Sequence, residues 1–258
     1  MSEHAVLNPR GEFRVPPNLC AFGIMTKAPH PGKVKTRLVP PLSLEEAAEL
    51  NICFLRDLAG STWQACLKSS AQGVGVYTPI GAESAYENIL PRDFFLIPQR
   101  GHEFGERLIF AAEDLFTVGF ESVCLINSDS PTVPASSFVE AANELAKAGD
   151  RIALGPSDDG GYYLIGLKKL HISLFQDIAW STECVFDQTK RRAAAIGLDV
   201  YELPGGFDVD DRATLARLCE ELIGDESRSP RNMAPNTHRF LSEIVEREGR
   251  DRIWPKTK

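Results

Sequence analysis

Leu19-Cys-Ala-Phe-Gly-Ile-Met25, followed at once by Lys27-Ala-Pro-His-Pro-Gly-Lys33, decides how the rest of the chain is read. Seven residues that are apolar apart from one glycine, bounded by Pro and Gly signals, are the pattern of a strand buried on both faces. The loop of prolines, glycine and lysines ends that strand. Ser43-Leu-Glu-Glu46 then has the form of a capping box, Ser at the N-cap and Glu three residues on, and opens a long helix with apolar residues at helical spacing through Leu67.

Outward from this unit the alternation continues. Residues 73–77 read as a second strand, 82–90 as a short helix, 94–97 as a third strand, 105–116 as a helix and 122–126 as a fourth buried strand running into Asn127-Ser-Asp-Ser-Pro131. Pro134 opens another helix at a favoured first-turn position. Strands at 151–154 and 162–167 flank Gly155-Pro-Ser-Asp-Asp-Gly-Gly161, and helix 183–196, strand 198–203 and helix 211–223 follow. Parallel neighbours need crossover connections, which are usually helical, so this order predicts an α/β fold: a Rossmann-like three-layer α/β/α sandwich on a mainly parallel mixed sheet. Ligands in such folds sit at the carboxyl ends of the strands.

The expected organisation is a flexible arm over residues 1–18, one domain over 19–224, and a polar linker with a C-terminal helix over 225–258, the helix running from Thr237 to Glu248. That helix's apolar faces allow a homodimer without requiring one. The 258 residues, 43% hydrophobic and 25% charged, suffice for one large buried core. No run reaches the roughly 18 apolar residues of a membrane span, and Met1-Ser-Glu-His4 lacks the features of a signal peptide, so a cytoplasmic protein is expected. The six cysteines are scattered without a C-x-x-C pair and read as buried reduced thiols rather than zinc or iron–sulfur ligands.

Net charge is −8, from 28 basic and 36 acidic residues, which argues against a nucleic-acid partner. Yet residues 13–44 contain no Asp or Glu while holding Arg14, Lys27, Lys33, Lys35 and Arg37, a patch suited to a small polyanion. With Gly32 and Thr36, the four cations after the first strand offer what a di- or triphosphate needs, although a solvated basic loop has the same composition. It is not a P-loop, since G-x-x-x-x-G-K-[ST] is absent.

Asp129 at a strand's carboxyl end is placed to hold Mg²⁺, or merely to cap its own turn. Asp208 and Asp210 project to one side of an extended segment and could share a cation, while Asp210 or Asp211 serves equally as the N-cap of the next helix. Asp159-Gly-Gly-Tyr162 lets backbone amides approach a ligand, or forms a tight hairpin turn. Trp180-Ser-Thr182 offers a ring, hydroxyls and free amides at a helix start, or ordinary capping.

In this order the segments Lys27 to Leu38, Gly105-Glu-Arg-Leu108, Asn127 to Pro131, Gly155 to Gly166, Trp180 to Thr182 and Phe207-Asp-Val-Asp210 resemble a bacterial family of nucleotide-diphospho-sugar-transferase-like proteins, associated with radical-SAM or selenium-related gene sets. That family is similar to glycosyltransferase-A-fold proteins, including 2-phospholactate guanylyltransferases and molybdenum-cofactor nucleotidyltransferases. The resemblance covers roughly residues 19–223. It implies that Lys27, Gly32, Lys33, Lys35, Thr36 and Arg37 hold nucleotide phosphates, with Lys35, Arg37 and Asp129 catalytic. Asp129, Asp208 and Asp210 would bind Mg²⁺ or Mn²⁺, and Asp159, Gly160, Gly161, Tyr162, Trp180, Ser181 and Thr182 would line the side of a small-molecule acceptor. Many relatives have Gly where this chain has Asn127-Ser128. The expected function is nucleotidyl transfer from a nucleoside triphosphate, with glycosyl transfer from a nucleotide sugar as the close rival and a non-catalytic nucleotide-binding protein as a third reading.

Overall fold

The structure, a computed structural model, describes residues 4–224 and 233–254. Seven strands form one sheet in the order β3-β2-β1-β4-β6-β5-β7, with β1 at Cys20–Lys27, β2 at Ala71–Thr78, β3 at Phe95–Pro98, β4 at Ser122–Ile126, β5 at Arg151–Pro156, β6 at Tyr162–Leu167 and β7 at Asp199–Glu202. All neighbours are parallel except β6, which runs against both β4 and β5. Every residue of β4 is buried, as a central strand covered on both faces requires.

Helices α1 (Leu44–Cys66) and α3 (Ala135–Ala146) cover one face, and α2 (Phe104–Thr117) and α4 (Val185–Ala195) the other. Phe22, Leu55, Leu58 and Phe138 belong to the first core layer, and Val74, Leu108, Leu115 and Leu154 to the second. The expected α/β/α sandwich is therefore present. A third cluster, including Leu38, Leu50, Phe54, Val209, Leu215 and Leu241, joins α1 to α5 (Arg212–Cys219) and α6 (Pro235–Glu248). The Ser43 and Glu46 capping box forms as its spacing predicts, with Glu46 N donating to Ser43 Oγ at 3.1 Å and Ser43 N to Glu46 at 2.8 Å.

Three expectations need correction. Residues 82–90 hold a single 3-10 turn, Glu83–Tyr86, rather than a helix: Gly81 and Asn88 both have positive φ and Pro91 follows, so Tyr86, Ile89 and Leu90 reach the core from a turning backbone. Ahead of β1, residues 5–7 run beside β3, with Leu7 N donating to Leu96 O at 2.7 Å and Leu96 N to Ala5 O at 3.0 Å, so backbone bonding ties down part of the segment read as a loose arm. The cysteines are all free thiols, but Cys184 is exposed where α4 begins. Linker positions 225–232 lie outside the described residues, among which no helix is long and apolar enough to cross a membrane.

What positions the site is the chain after β7. Leu203 N bonds Leu154 O at 2.8 Å, Gly206 N bonds Pro156 O at 2.9 Å, and Val209 N bonds Asp129 O at 2.9 Å. The 203–209 segment thus crosses the ends of β5 and β4 and carries Asp208 and Asp210 to the loop that holds Asp129.

Candidate active site

A cleft of about 670 Å³ opens over the carboxyl ends of β1 and β4 and the start of β6. One wall is the loop after β1, another the 127–129 turn with Asp208 and Asp210, and a third Asp159 to Tyr163 with Trp180 to Glu183. Nearly all the sequence-predicted site residues meet here. Gly32 and Gly160 do not line it. Gly32, at φ +72, turns the basic loop, while a Cβ on Gly160 would fall 2.1 Å from the Glu183 carbonyl oxygen, so that glycine lets the 157–161 loop pack against the start of α4.

The basic loop divides in two. Lys27, Lys33, Thr36 and Arg37 are exposed, and among the described residues the three cations form no ion pair. Lys35 is different. Its side chain is 5% exposed, its backbone is left-handed at φ 49, and its ammonium lies 2.6 Å from Asp129 Oδ1 and 3.0 Å from Asp210 Oδ1 while donating to Val209 O at 2.8 Å. Burial alone would lower its pKa, but the two carboxylates outweigh that and raise it. All three of its donors are spent, so the ammonium binds the acidic turn rather than pointing free at a ligand.

Asp208 takes no part in that pairing. Its Oδ1 accepts from Ser130 Oγ at 2.5 Å, Asn127 Nδ2 at 2.8 Å and Ser157 Oγ at 3.2 Å. Burial, with the charges of Asp129 and Asp159 nearby, pushes its carboxyl up to about 6 against the opposing effect of the hydrogen bonds. Burial is the main cause of that rise; the excess of negative charge is a matter of composition, the three carboxylates Asp129, Asp208 and Asp210 standing against the one buried ammonium.

These observations test a divalent ion. Hard carboxylate oxygens with surplus negative charge suit Mg²⁺ or Mn²⁺. Among the described residues, however, no three acidic, His or Cys side chains gather into a ready cage, because Lys35 stands between Asp129 and Asp210 and Asp208 is turned toward its own hydroxyl and amide donors. The chemistry of the donors fits; Asp129 and Asp210 would hold a metal once Lys35 has left them.

On the opposite wall, at Trp180 to Thr182, the amides of Ser181, Thr182 and Glu183 donate no hydrogen bond among the described residues, whereas those that follow are bonded. Cys184 N donates to Thr182 Oγ1 at 3.4 Å, Val185 N to Thr182 O at 3.4 Å and Phe186 N to Gly160 O at 2.8 Å, so these amides at the start of α4 are taken. Sequence reasoning also missed lining residues. Phe104 meets Trp180 edge-on at 5.2 Å and 75°, and Asn51 of α1 is 4% exposed with an unpartnered Oδ1. A polar residue on the apolar face of α1 was the readable signal for Asn51; Phe104 had none.

The family model for uncharacterised proteins conserved in bacteria, DUF2064, matches residues 62–182. A solved protein of Desulfovibrio desulfuricans G20, provisionally named a nucleotide-diphospho-sugar transferase, is 29% identical with a TM-score of 0.76 over 91% of this chain and 99% of its own. A cytidylyltransferase of Leptospira borgpetersenii is 8% identical with a TM-score of 0.48 over 93% and 98%. A CMP:2-keto-3-deoxy-manno-octonic acid synthetase complexed with CTP is 13% identical with a TM-score of 0.46 over 78% and 96%. No curated protein matches.

Proposed function

We propose that this protein is a transferase that takes a nucleotide-activated donor, and that the reaction is nucleotidyl transfer from a nucleoside triphosphate to a small acceptor. The observation that carries the reading is the convergence, in one cleft, of exposed Lys27, Lys33 and Arg37 on one wall with Asp129, Asp208 and Asp210 beside it. Three cations at the end of β1 and in the loop after it, with no acidic partner among the described residues, suit a triphosphate, whose charge they would neutralise while Thr36 contributes a hydroxyl.

In this reading the acceptor's nucleophilic oxygen attacks the α-phosphorus, the bond to the bridging oxygen breaks, pyrophosphate leaves, and the proton of a hydroxyl acceptor passes to a cleft carboxylate such as Asp159. Lys33 and Arg37 hold the departing phosphates. Asp129, Asp210 and the free oxygen of Asp208 would hold Mg²⁺ or Mn²⁺, which when bound neutralises phosphoryl oxygen charge. Lys35, released from the carboxylates, would turn toward the same phosphates.

Glycosyl transfer is the second reading, favoured by the name given to the 29% identical Desulfovibrio protein. There the acceptor attacks the anomeric carbon and a nucleoside diphosphate leaves. The test is thermal stabilisation by nucleoside triphosphates, diphosphates and nucleotide sugars, with and without Mg²⁺ or Mn²⁺, followed by identification of the leaving group. Metal-dependent stabilisation by one triphosphate, with pyrophosphate released, is expected. Stabilisation by a nucleotide sugar with release of the diphosphate selects the second reading, and no shift with any of them removes both.

A further inference from the structure

The two long walls of the cleft differ in chemistry. Every Lys and Arg that lines it comes from the end of β1 or the loop after it, whereas the facing wall presents the acids Asp159 and Glu183 with Phe104, Trp180 and Ser181. Gly161 N occupies one oxygen of Asp159 at 2.9 Å and leaves the other open, and Ser181 forms no hydrogen bond among the described residues.

The aromatic pair is held in place. Phe104 is 47% exposed at the first position of α2, and Trp180 packs edge-on against it. A Cβ on Gly105 would stand 2.6 Å from Trp180 Nε1, so the indole is seated directly on the first turn of α2, where only glycine leaves room. A large exposed ring fixed at the mouth of a polar cleft is an unusual expense in water and offers a flat apolar surface to a ligand.

The charge on this wall is negative. The amides of Cys184, Val185 and Phe186 are already bonded, and although those of Ser181, Thr182 and Glu183 donate no hydrogen bond among the described residues, they stand beside the Asp159 and Glu183 carboxylates, while the start of α2 carries Glu103 and Glu106 in a capping box, where its dipole would otherwise favour an anion. A phosphate or carboxylate here would meet like charge.

We propose that the acceptor is an uncharged, hydroxyl-bearing ring, a sugar or cyclitol unit, whose apolar face lies on Trp180 and Phe104 and whose hydroxyls donate to Asp159 and Glu183. Ring C–H groups suit an aromatic face, and vicinal hydroxyls suit carboxylates, while anionic acceptors are rejected. The inference rests on the transferase reading for the word acceptor; the subsite itself rests on the wall.

The test is saturation-transfer NMR on the whole protein with methyl glycosides of glucose and mannose and with myo-inositol, each paired with its monophosphate, alongside thermal stabilisation by nucleotides. At least one neutral ring should receive saturation through its ring protons and bind about ten-fold more tightly than its phosphate, and Trp180→Ala should abolish the signal. Phe104→Ala, which alters an exposed side chain, should weaken it and guards against misfolding of the first variant. Asp159→Asn with Glu183→Gln should narrow the ten-fold gap. Tighter binding of the phosphates, binding indifferent to Trp180 and Phe104, or no binding by any neutral ring overturns the proposal. If nucleotides stabilise the protein while the neutral rings fail, the subsite alone is refuted; if no nucleotide stabilises it while a neutral ring binds through Trp180, the transferase reading alone is.

Discussion

Replacing Lys35 by Met removes the ammonium between Asp129 and Asp210 while keeping an unbranched side chain one atom shorter and the same left-handed backbone demand. Three contacts disappear, at 2.6, 3.0 and 2.8 Å. Breaking a fully buried ion pair costs about 3–5 kcal/mol because a charge is left without compensation. Here the Asp129 and Asp210 side chains are 32% and 44% exposed, so water recovers part of the loss and about 2 kcal/mol remains. For a chain of this size that lowers the midpoint of thermal unfolding by about 4–8 °C.

The same number sets the response to metal. If a divalent ion in the wild type must first expel the ammonium, the variant binds that ion more tightly by the energy no longer spent, roughly thirty-fold for 2 kcal/mol. Thermal unfolding gives the first quantity, and the electron paramagnetic resonance signal of free Mn²⁺ during titration gives the second. A variant that melts with the wild type and binds Mn²⁺ with unchanged affinity would refute the view that Lys35 and a metal compete for the same two carboxylates.

Asp208→Asn should stabilise the metal-free protein at pH 7.5. The native carboxyl titrates near 6 against an ordinary value of 3.8, so the folded state holds its proton longer, and wild-type stability falls as pH rises from about 4 through 6. The advantage of Asn therefore grows to about 3 kcal/mol above pH 6 and vanishes near pH 3; urea unfolding across that range would contradict this by showing a constant gap. Gly73→Ala puts a Cβ 2.1 Å from the buried Phe94 ring and should cost about 3 kcal/mol, most of it recovered by adding Phe94→Leu, and a denaturation double-mutant cycle without such coupling would count against the packing account. Asp57→Ala strips the carboxylate that accepts from Asn236 N, Asn236 Nδ2 and Thr237 N at 2.9, 2.7 and 2.8 Å. A loss of about 2–3 kcal/mol is expected, with faster amide exchange concentrated in residues 235–248, whereas uniform acceleration would deny that Asp57 anchors α6.

Much of this architecture was legible because its signals are local. The Ser43 and Glu46 box, the apolar run of β4 and the glycine-rich turn between β5 and β6 each declare themselves within a few residues. Residues 82–90 misled because apolar spacing records which side chains are buried, not the backbone path that buries them. The placement of β6 between β4 and β5 depends on the whole sheet, and no short window carries it.

At the site, residue types at strand ends located the cleft's walls well. Their partners were another matter. Lys35 and the two carboxylates belong to separate loops, joined by contacts such as Val209 N to Asp129 O that no short window of sequence shows, so a lysine that reads like its neighbours Lys33 and Arg37 proves to have a different partner. Phe104 sits at the start of an ordinary amphipathic helix, and nothing in its own neighbourhood announces that Trp180 will come to rest beside it.

Because β6 alone runs against its neighbours, the hairpin from Ser157 to Gly161 begins and ends at the cleft-facing edge of the sheet. A parallel successor to β5 would have to start from the far edge, with a crossover between. Residues can therefore be inserted into or deleted from this one turn without rebuilding a crossover, but Ser157 also bonds Asp208 and Gly160 O accepts from Phe186 N. For laboratory evolution of new specificity, length variation at 157–161 is a coupled lever: it redraws one side of the cavity and, through those bonds, shifts Asp208 and the start of α4, while β5 and β6 remain joined by a single turn.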